Sequence, residues 1–225
     1  HGNTIQDYLE RAFAAVSCNP VRVHGAGRTD SGVHALAQCA HADVPDRRLS
    51  PDRWIAALNG NLPPTIRVLR CSYVSSAFHA RHSARGKIYR YLIWNAAVLP
   101  PFRHRREWHV VGPLDLAAIR SAARHFVGSH DFAGFAANRG QAVDETVRTL
   151  RKVSVTRKGP QIALQFEGDG FLYKMVRMMV GALVRVGQGR LTREQIRGRL
   201  TAGRATAAPR LVAPAEGLVL VRVRY

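Results

Sequence analysis

The sequence predicts an α+β protein built as two α/β halves, each a sheet covered by helices. Two observations carry this expectation. Apolar positions switch repeatedly along the chain between a 3.6-residue and a 2-residue period, so helical and strand segments alternate. The 225 residues, 46% of them apolar, also suffice to bury a proper core in one large domain or two small ones. No solenoid repeat interrupts the pattern.

The elements follow in order. Ile5, Tyr8, Leu9, Ala12, Phe13 and Val16 share one face of an opening helix, and Thr4 with Asp7 forms a capping box in which Asp replaces the usual Glu. A helix amphipathic from its first turn needs something to pack on, which sets the expectation that a segment before His1 is missing. Residues 21–24 predict a short strand and 36–44 a second, with a Gly-rich loop between them. Ser50 caps a helix over 51–58 whose first position is Pro51. Residues 66–74 and 87–94, rich in Val, Ile and Tyr, predict further strands. The proline- and charge-rich stretch 100–109 reads as a connection. These elements make up an N-terminal half, residues 1–105, that carries the Gly-rich loop.

In the second half, residues 106–225, a helix is expected over 114–126 with Ile119, Ala122, Ala123 and Phe126 on one face. Residues 147–156 and 161–167 predict a hairpin around Lys158-Gly159-Pro160. The segment 171–186 is a helix with a broad apolar face formed by Leu172, Met175, Val176, Met179, Val180 and Leu183. A further helix over 192–200 precedes a closing strand in which Val219, Val221, Val223 and Tyr225 alternate.

Charge narrows the function classes. Lys and Arg number 34 against 15 Asp and Glu, a net +19, which points to a polyanionic partner. The excess is spread over Arg47 and Arg48, Arg103 to Arg106, and residues 148–158 and 190–210, so it marks a folded basic surface and not a disordered arm. With six Tyr, eight Phe and three Trp, phosphate and shape contacts outweigh an aromatic stacking platform. Cys18, Cys39 and Cys71 are odd in number, far apart and never in a CxxC pair, which argues against a disulfide framework or a thiolate zinc site and fits a reducing, cytoplasmic home. The uncharged run from Tyr91 to Phe102 is too short to span a bilayer and carries Pro100 and Pro101, and no signal peptide is visible.

The loop GAGRTDSGVH, residues 25–34, sets one acid among three glycines. In one reading Asp30 caps a turn. A dinucleotide cradle is excluded, because Asp30 stands where the fingerprint needs its third glycine and would repel a pyrophosphate, and no GK[ST] follows. In the other reading Asp30 reacts: the glycines admit a bulky substrate, Arg28 reaches a phosphate or an unstacked base, and an aspartate can act as nucleophile or base without a metal. A carboxylate withdrawn from water then needs a cation. Arg177, set among methionines and valines, either snorkels outward or meets that acid. In residues 78–94, Phe78, Tyr89, Tyr91 and Trp94 interleave with Arg81, Arg85, Lys87 and Arg90. Alternation puts Tyr89 and Tyr91 on one face, which suits either an ordinary core strand or a base pocket. His79 and His82, or His34 and His41, lack HExxH spacing and nearby cysteine pairs, and read as surface or phosphate-facing histidines.

Gly27-Arg28-Thr29-Asp30-Ser31-Gly32-Val33-His34 resembles the catalytic motif of the tRNA pseudouridine synthase A (TruA) family. Phe78-His79-Ala80-Arg81 with Tyr89-Arg90-Tyr91, the segment 171–181 with its Met-Val-Arg, and Ala215-Glu216-Gly217-Leu218 agree in order, so the resemblance covers essentially the whole chain. It implies the pseudouridine synthase fold, with two ferredoxin-like α/β halves, antiparallel sheets flanked by helices, and a basic cleft between them. It implies an isomerase that converts uridine to pseudouridine at positions 38, 39 and 40 of the tRNA anticodon stem and loop, as a homodimer, without cofactor or metal. Carried over, Asp30 falls on the nucleophile, Arg177 on the basic residue paired with it, Tyr89 on a substrate-contacting tyrosine and Arg28 on the arginine beside the flipped-out uridine. His79 and Arg81 fall in a substrate-binding segment. Family members also begin with a strand bearing YDG and GWQ-type motifs, absent from this sequence. The reaction breaks the C1′–N1 bond, turns the uracil and rejoins it through C5, after the uridine is flipped from its stack. Asp30 either attacks C1′ or removes a sugar proton on the way to a glycal, and the residues do not choose. The alternative function is a non-catalytic basic RNA-binding module in which Asp30 only shapes a turn.

Overall fold

The computed structural model describes residues 2–44, 49–137, 145–201 and 212–225. Arg47, Arg48 and the part of the last basic stretch beyond 201 lie outside the described residues. The elements in chain order are α1 (Ile5–Ser17), β1 (Val23–Gly25), β2 (His34–Ala35), β3 (Ala40–Ala42), α2 (Pro51–Gly60), β4 (Gly86–Trp94), β5 (Trp108–His109), α3 (Leu116–Ala123), β6 (Gly128–Asp131), β7 (Val147–Lys158), β8 (Gln161–Gly168), α4 (Met175–Gly187), α5 (Arg193–Thr201) and β9 (Leu218–Arg224). Among the described residues no helix is long and apolar enough to cross a membrane.

These elements group into two compact units, His1–Arg28 with Gln38–Ala84, and Thr29–Ala37 with Arg85–Tyr225. The first is small. Its α1 opens on the Thr4–Asp7 capping box, with the Asp7 backbone N–H donating to Thr4 Oγ1 at 3.1 Å and the Thr4 N–H donating to Asp7 Oδ2 at 2.7 Å. The apolar face of α1 then buries Ala12 with Trp54 and Leu58 of α2, and with Leu62 and Ile66. Strands β1 and β3 form a two-stranded antiparallel ladder beside them.

Residues 66–74, expected as a strand, have no ladder partner among the described residues. Asn59 takes the partner's place at Val68: its Oδ1 accepts from the Val68 N–H at 2.8 Å and its Nδ2 donates to the Val68 carbonyl at 2.9 Å. Of the expected strand at 36–44 only Ala40 to Ala42 forms a ladder, with β1, while His34 and Ala35 just before it pair with β9.

The second unit is a seven-stranded mixed sheet in the order β2-β9-β4-β8-β7-β6, with β5 alongside β4. The β4, β7, β8 and β9 ladders are antiparallel, whereas β2–β9 and β4–β5 are parallel. Strand β4, read from sequence as part of the N-terminal half, runs through the middle of this sheet. Tyr89, Tyr91 and Ile93 of β4 join Leu164 and Phe166 of β8 and the buried faces of α3 and α4 in one core. Helix α4 starts four residues later than the apolar run, after a turn in which the Met175 N–H donates to the Leu172 carbonyl at 3.1 Å and Lys174 stands at φ +58°. Strand β6 and the two-residue β5 were not foreseen; polar, short segments carry too little periodicity to be seen.

Candidate active site

Asp30, Arg177 and Tyr89 all belong to the second unit. The loop after Thr29 turns back on itself, the Val33 N–H donating to the Asp30 carbonyl at 3.0 Å. Gly32 sits at φ +84°, a left-handed conformation that costs glycine little, and its α-carbon abuts Ala215 closely enough that an added Cβ would lie 3.3 Å from that methyl. Strand β2 then pairs with the beginning of β9, His34 opposite Val219 and Ala35 opposite Leu220. Asp30 is thereby tied to the residues that lead into β9.

Arg177, the third residue of α4, answers the choice left open by the sequence. It does not reach into solvent. Its Nη1 donates to Asp30 Oδ2 at 2.9 Å and its Nε to the Ala213 carbonyl at 2.7 Å. The Arg177 and Asp30 side chains are 13% and 19% exposed, so this is a charge-assisted contact made largely out of water, where such bonds are strong. The Ala213 N–H donates in turn to the Arg177 carbonyl at 3.1 Å. Ala213 therefore grips Arg177 by both its backbone and its side chain.

Tyr89, nearly buried, stands edge-on to Phe171 with ring centroids 5.0 Å apart. Burial, and then the negative charge of Asp30, push its hydroxyl up to about 12. At neutral pH it is a phenol and not a phenolate. Two residues on, Tyr91 is fully buried and donates from its hydroxyl to the Pro214 carbonyl at 2.7 Å. Burial raises its hydroxyl further still, with Glu216 adding to the shift and Arg177 opposing it. The other face of β4 carries Arg90, which reaches Gln165 at 3.4 Å, so the alternation expected of this strand places the tyrosines inward together.

Arg28, His79 and Arg81 lie in the first unit. Arg28 and Arg81 are exposed and His79 is half-buried. His79 is fixed locally: its N–H donates to Ser83 Oγ at 3.0 Å, and its Nδ1 accepts from the Arg81 N–H at 3.1 Å.

Sequence reasoning did not find the turn 213–217 that holds the site together. Ala213 and Pro214 act through backbone carbonyls, which leave no trace in side-chain chemistry. Gly217 was visible as part of Ala215-Glu216-Gly217-Leu218, and the structure supplies its reason: the Tyr91 ring lies against it, so that a Cβ would come within 2.6 Å of Tyr91 Cζ.

Known proteins share this chain's sequence at high identity. A family described as tRNA pseudouridine synthase matches residues 1–83 and 122–225. The tRNA pseudouridine synthase A of Akkermansia muciniphila is 44% identical over 230 residues, covering 100% of this chain and 87% of the relative. That of Solidesulfovibrio magneticus is 47% identical over 229 residues, covering 100% and 82%. That of Acetivibrio thermocellus is 40% identical over 225 residues, covering 100% and 91%. With matches of this identity along its whole length, and with the loop acid seated on the arginine of α4, the chain belongs to the tRNA pseudouridine synthase A family.

Proposed function

We propose that this protein isomerises uridine to pseudouridine in tRNA, at positions 38, 39 and 40 of the anticodon stem and loop, with Asp30 as the nucleophile. The observation that carries the reading is the Asp30–Arg177 pair at 2.9 Å with Tyr89 close enough to feel the Asp30 charge. A reaction centre of this kind needs one oriented carboxylate and a flat neighbour for a base.

The chemistry is balanced without a redox partner. The C1′–N1 bond breaks with its electron pair going to the uracil, the C5 carbon forms the new bond to C1′, C5 loses its proton and N1 gains one. Asp30 acts on the sugar, at C1′ or at the neighbouring proton. Arg177, gripped by Ala213, holds the carboxylate in place so that little reorganisation is needed when charge develops. Tyr89, a neutral phenol backed by Phe171, supplies a face for the uracil. Arg28 stands beside the flipped uridine, and His79 and Arg81 bind the RNA. The cost of flipping, a few kcal/mol, is met by contacts with the polyanion.

The same proposal includes a homodimer in the cytoplasm, with which the free thiols of Cys18, Cys39 and Cys71 are compatible. Asp30→Asn preserves shape and removes the charge. In a chemical map of pseudouridine in unmodified tRNA, this variant should lose turnover by at least about 10⁴-fold while its tRNA affinity stays within a few-fold. Conversion by Asp30→Asn at the wild-type rate would leave the acid as a turn residue, and a wild-type protein that binds tRNA without converting it would be an RNA-binding module.

A further inference from the structure

Four histidines gather in the first unit. The β1–β3 register puts His24 opposite His41, and their rings stack with centroids 5.1 Å apart and planes 19° from parallel. The turn around residue 80 adds two more: His79 lies 4.5 Å from His41 and 5.9 Å from His24, and His82 lies 4.3 Å from His79. His24 and His82 are exposed, and His41 and His79 half-buried. Lost hydration, then the neighbouring His82, His41, His24 and Arg81, pull His79 below the ordinary histidine range.

Hydrogen bonding decides what such a cluster can bind. The Ala80 N–H donates to His41 Nδ1 at 3.1 Å, and the Arg81 and His82 N–H groups donate to His79 Nδ1 at 3.1 and 3.3 Å. A ring nitrogen that accepts has a free lone pair, so the proton of each neutral imidazole is on Nε2. Protonating either ring fully would break these backbone contacts. Both rings therefore offer an N–H donor, and no acceptor for that donor is found among the described residues. A metal ion needs lone pairs instead, and no three His, Cys, Asp or Glu side chains among the described residues are placed to hold one. An anion needs donors, and exposed Arg81 stands next to them.

We propose that His24, His41, His79 and His82 form a subsite for a single RNA phosphodiester, held by the neutral Nε2–H groups of His41 and His79. The proposal rests on the reading of this protein as one that binds tRNA. It differs from an arginine contact in one measurable way. A cation that neutralises a phosphate displaces counterions and steepens the salt dependence of binding, whereas a neutral donor leaves that slope alone.

The test combines side-chain ¹⁵N spectra of the histidines with tRNA affinity across a salt series and pseudouridine formation on the same samples. His41 and His79 should show the Nε2–H tautomer in the free protein and shift on adding unmodified tRNA. His41→Phe keeps a ring in place; it should weaken binding about five- to tenfold with an unchanged salt slope. Arg81→Ala should instead lower the slope by about 0.7 to 0.9, the effect of one lost phosphate neutralisation. Should tRNA bind and be converted while these resonances stay still, the subsite falls and the catalytic reading survives. If tRNA neither binds nor is converted, both fall together. Three further results would also overturn the subsite: a salt slope that drops on His41→Phe, uptake of zinc alone at one equivalent, or resonances moved by inorganic phosphate but not by tRNA. The spectra need no variant, so a poorly folded His41→Phe does not spoil the test.

Discussion

Arg177 makes two different bonds with one guanidinium, and each has its own job. The 2.7 Å bond from Nε to the Ala213 carbonyl fixes the plane of the group, and the 2.9 Å bond from Nη1 to Asp30 uses that plane to aim a carboxylate. A lysine keeps the charge but has no planar fork, so it cannot hold the two partners in one fixed plane. Arg177→Leu removes both bonds, including the one that aims the Asp30 carboxylate in a site mostly closed to water. We expect kcat to fall about 10²- to 10³-fold in Arg177→Leu, with Arg177→Lys in between, and KM for tRNA to move only a few-fold, because misplacing a reacting group by an ångström already costs about 10²-fold. Single-turnover kinetics on variants shown to be folded by urea titration would check this. An unchanged kcat in folded Arg177→Leu would reduce the pair to a structural contact. Tyr89 is read by the same logic: a hydroxyl pushed up to about 12 stays protonated through the neutral range, so its use at the resting site is as a ring and a donor.

At the scale of elements, the site depends on one short turn that receives bonds from three places. Ala213 holds α4 through Arg177, Pro214 holds β4 through the Tyr91 hydroxyl, and Ala215 packs on Gly32 of the acid loop. Gly217 lets this turn close onto Tyr91, and a Cβ there would meet Tyr91 Cζ at 2.6 Å and the Leu92 carbonyl at 2.9 Å. Since one of those atoms is backbone in the middle of the sheet, a rotamer change cannot relieve the clash. Gly217→Ala should therefore cost about 1–3 kcal/mol of stability by urea unfolding and reduce turnover by shifting Tyr91, Pro214 and the neighbouring Ala213. Gly60→Ala, at a position with no atom within 4 Å and no positive φ, is the matched control and should lower neither. This turn also explains what sequence alone could and could not reveal. Helices α1 and α2 follow from a 3.6-residue period and their caps, α4 from its period alone, and the acid and its arginine stand out because each is chemically out of place among glycines or methionines. The backbone carbonyls of 213 and 214 have no such mark. Neither does the partner of a two-residue strand such as β2, since long-range pairing with β9 is decided by the rest of the sheet. The histidine cluster was hidden for the same reason: only the β1–β3 register shows that His24 and His41 are neighbours.

For the whole molecule the governing quantity is the net charge of +19. It is carried by both units: Arg22, Arg28 and Arg81 are exposed in the first, and Arg151, Lys152 and Arg157 of β7 are exposed in the second. A fold with this much self-repulsion lacks a reason for it unless a polyanion is bound. Phosphate contacts supply affinity and positioning with little sequence information, which under the proposed function leaves the choice of uridine to other contacts. Affinity for tRNA should then fall steeply and linearly in log–log form as salt rises. About six phosphate contacts would give a loss of roughly a thousandfold between 50 and 200 mM. Filter binding of unmodified tRNA to the Asp30→Asn variant measures this without turnover. Turnover at saturating tRNA in the wild type should change far less over the same range, because the Asp30–Arg177 pair is largely out of water and is screened much less than the surface. A flat binding titration would remove the role assigned to the basic surface, and a kcat that falls in parallel with affinity would show that the ions reach the reaction centre itself.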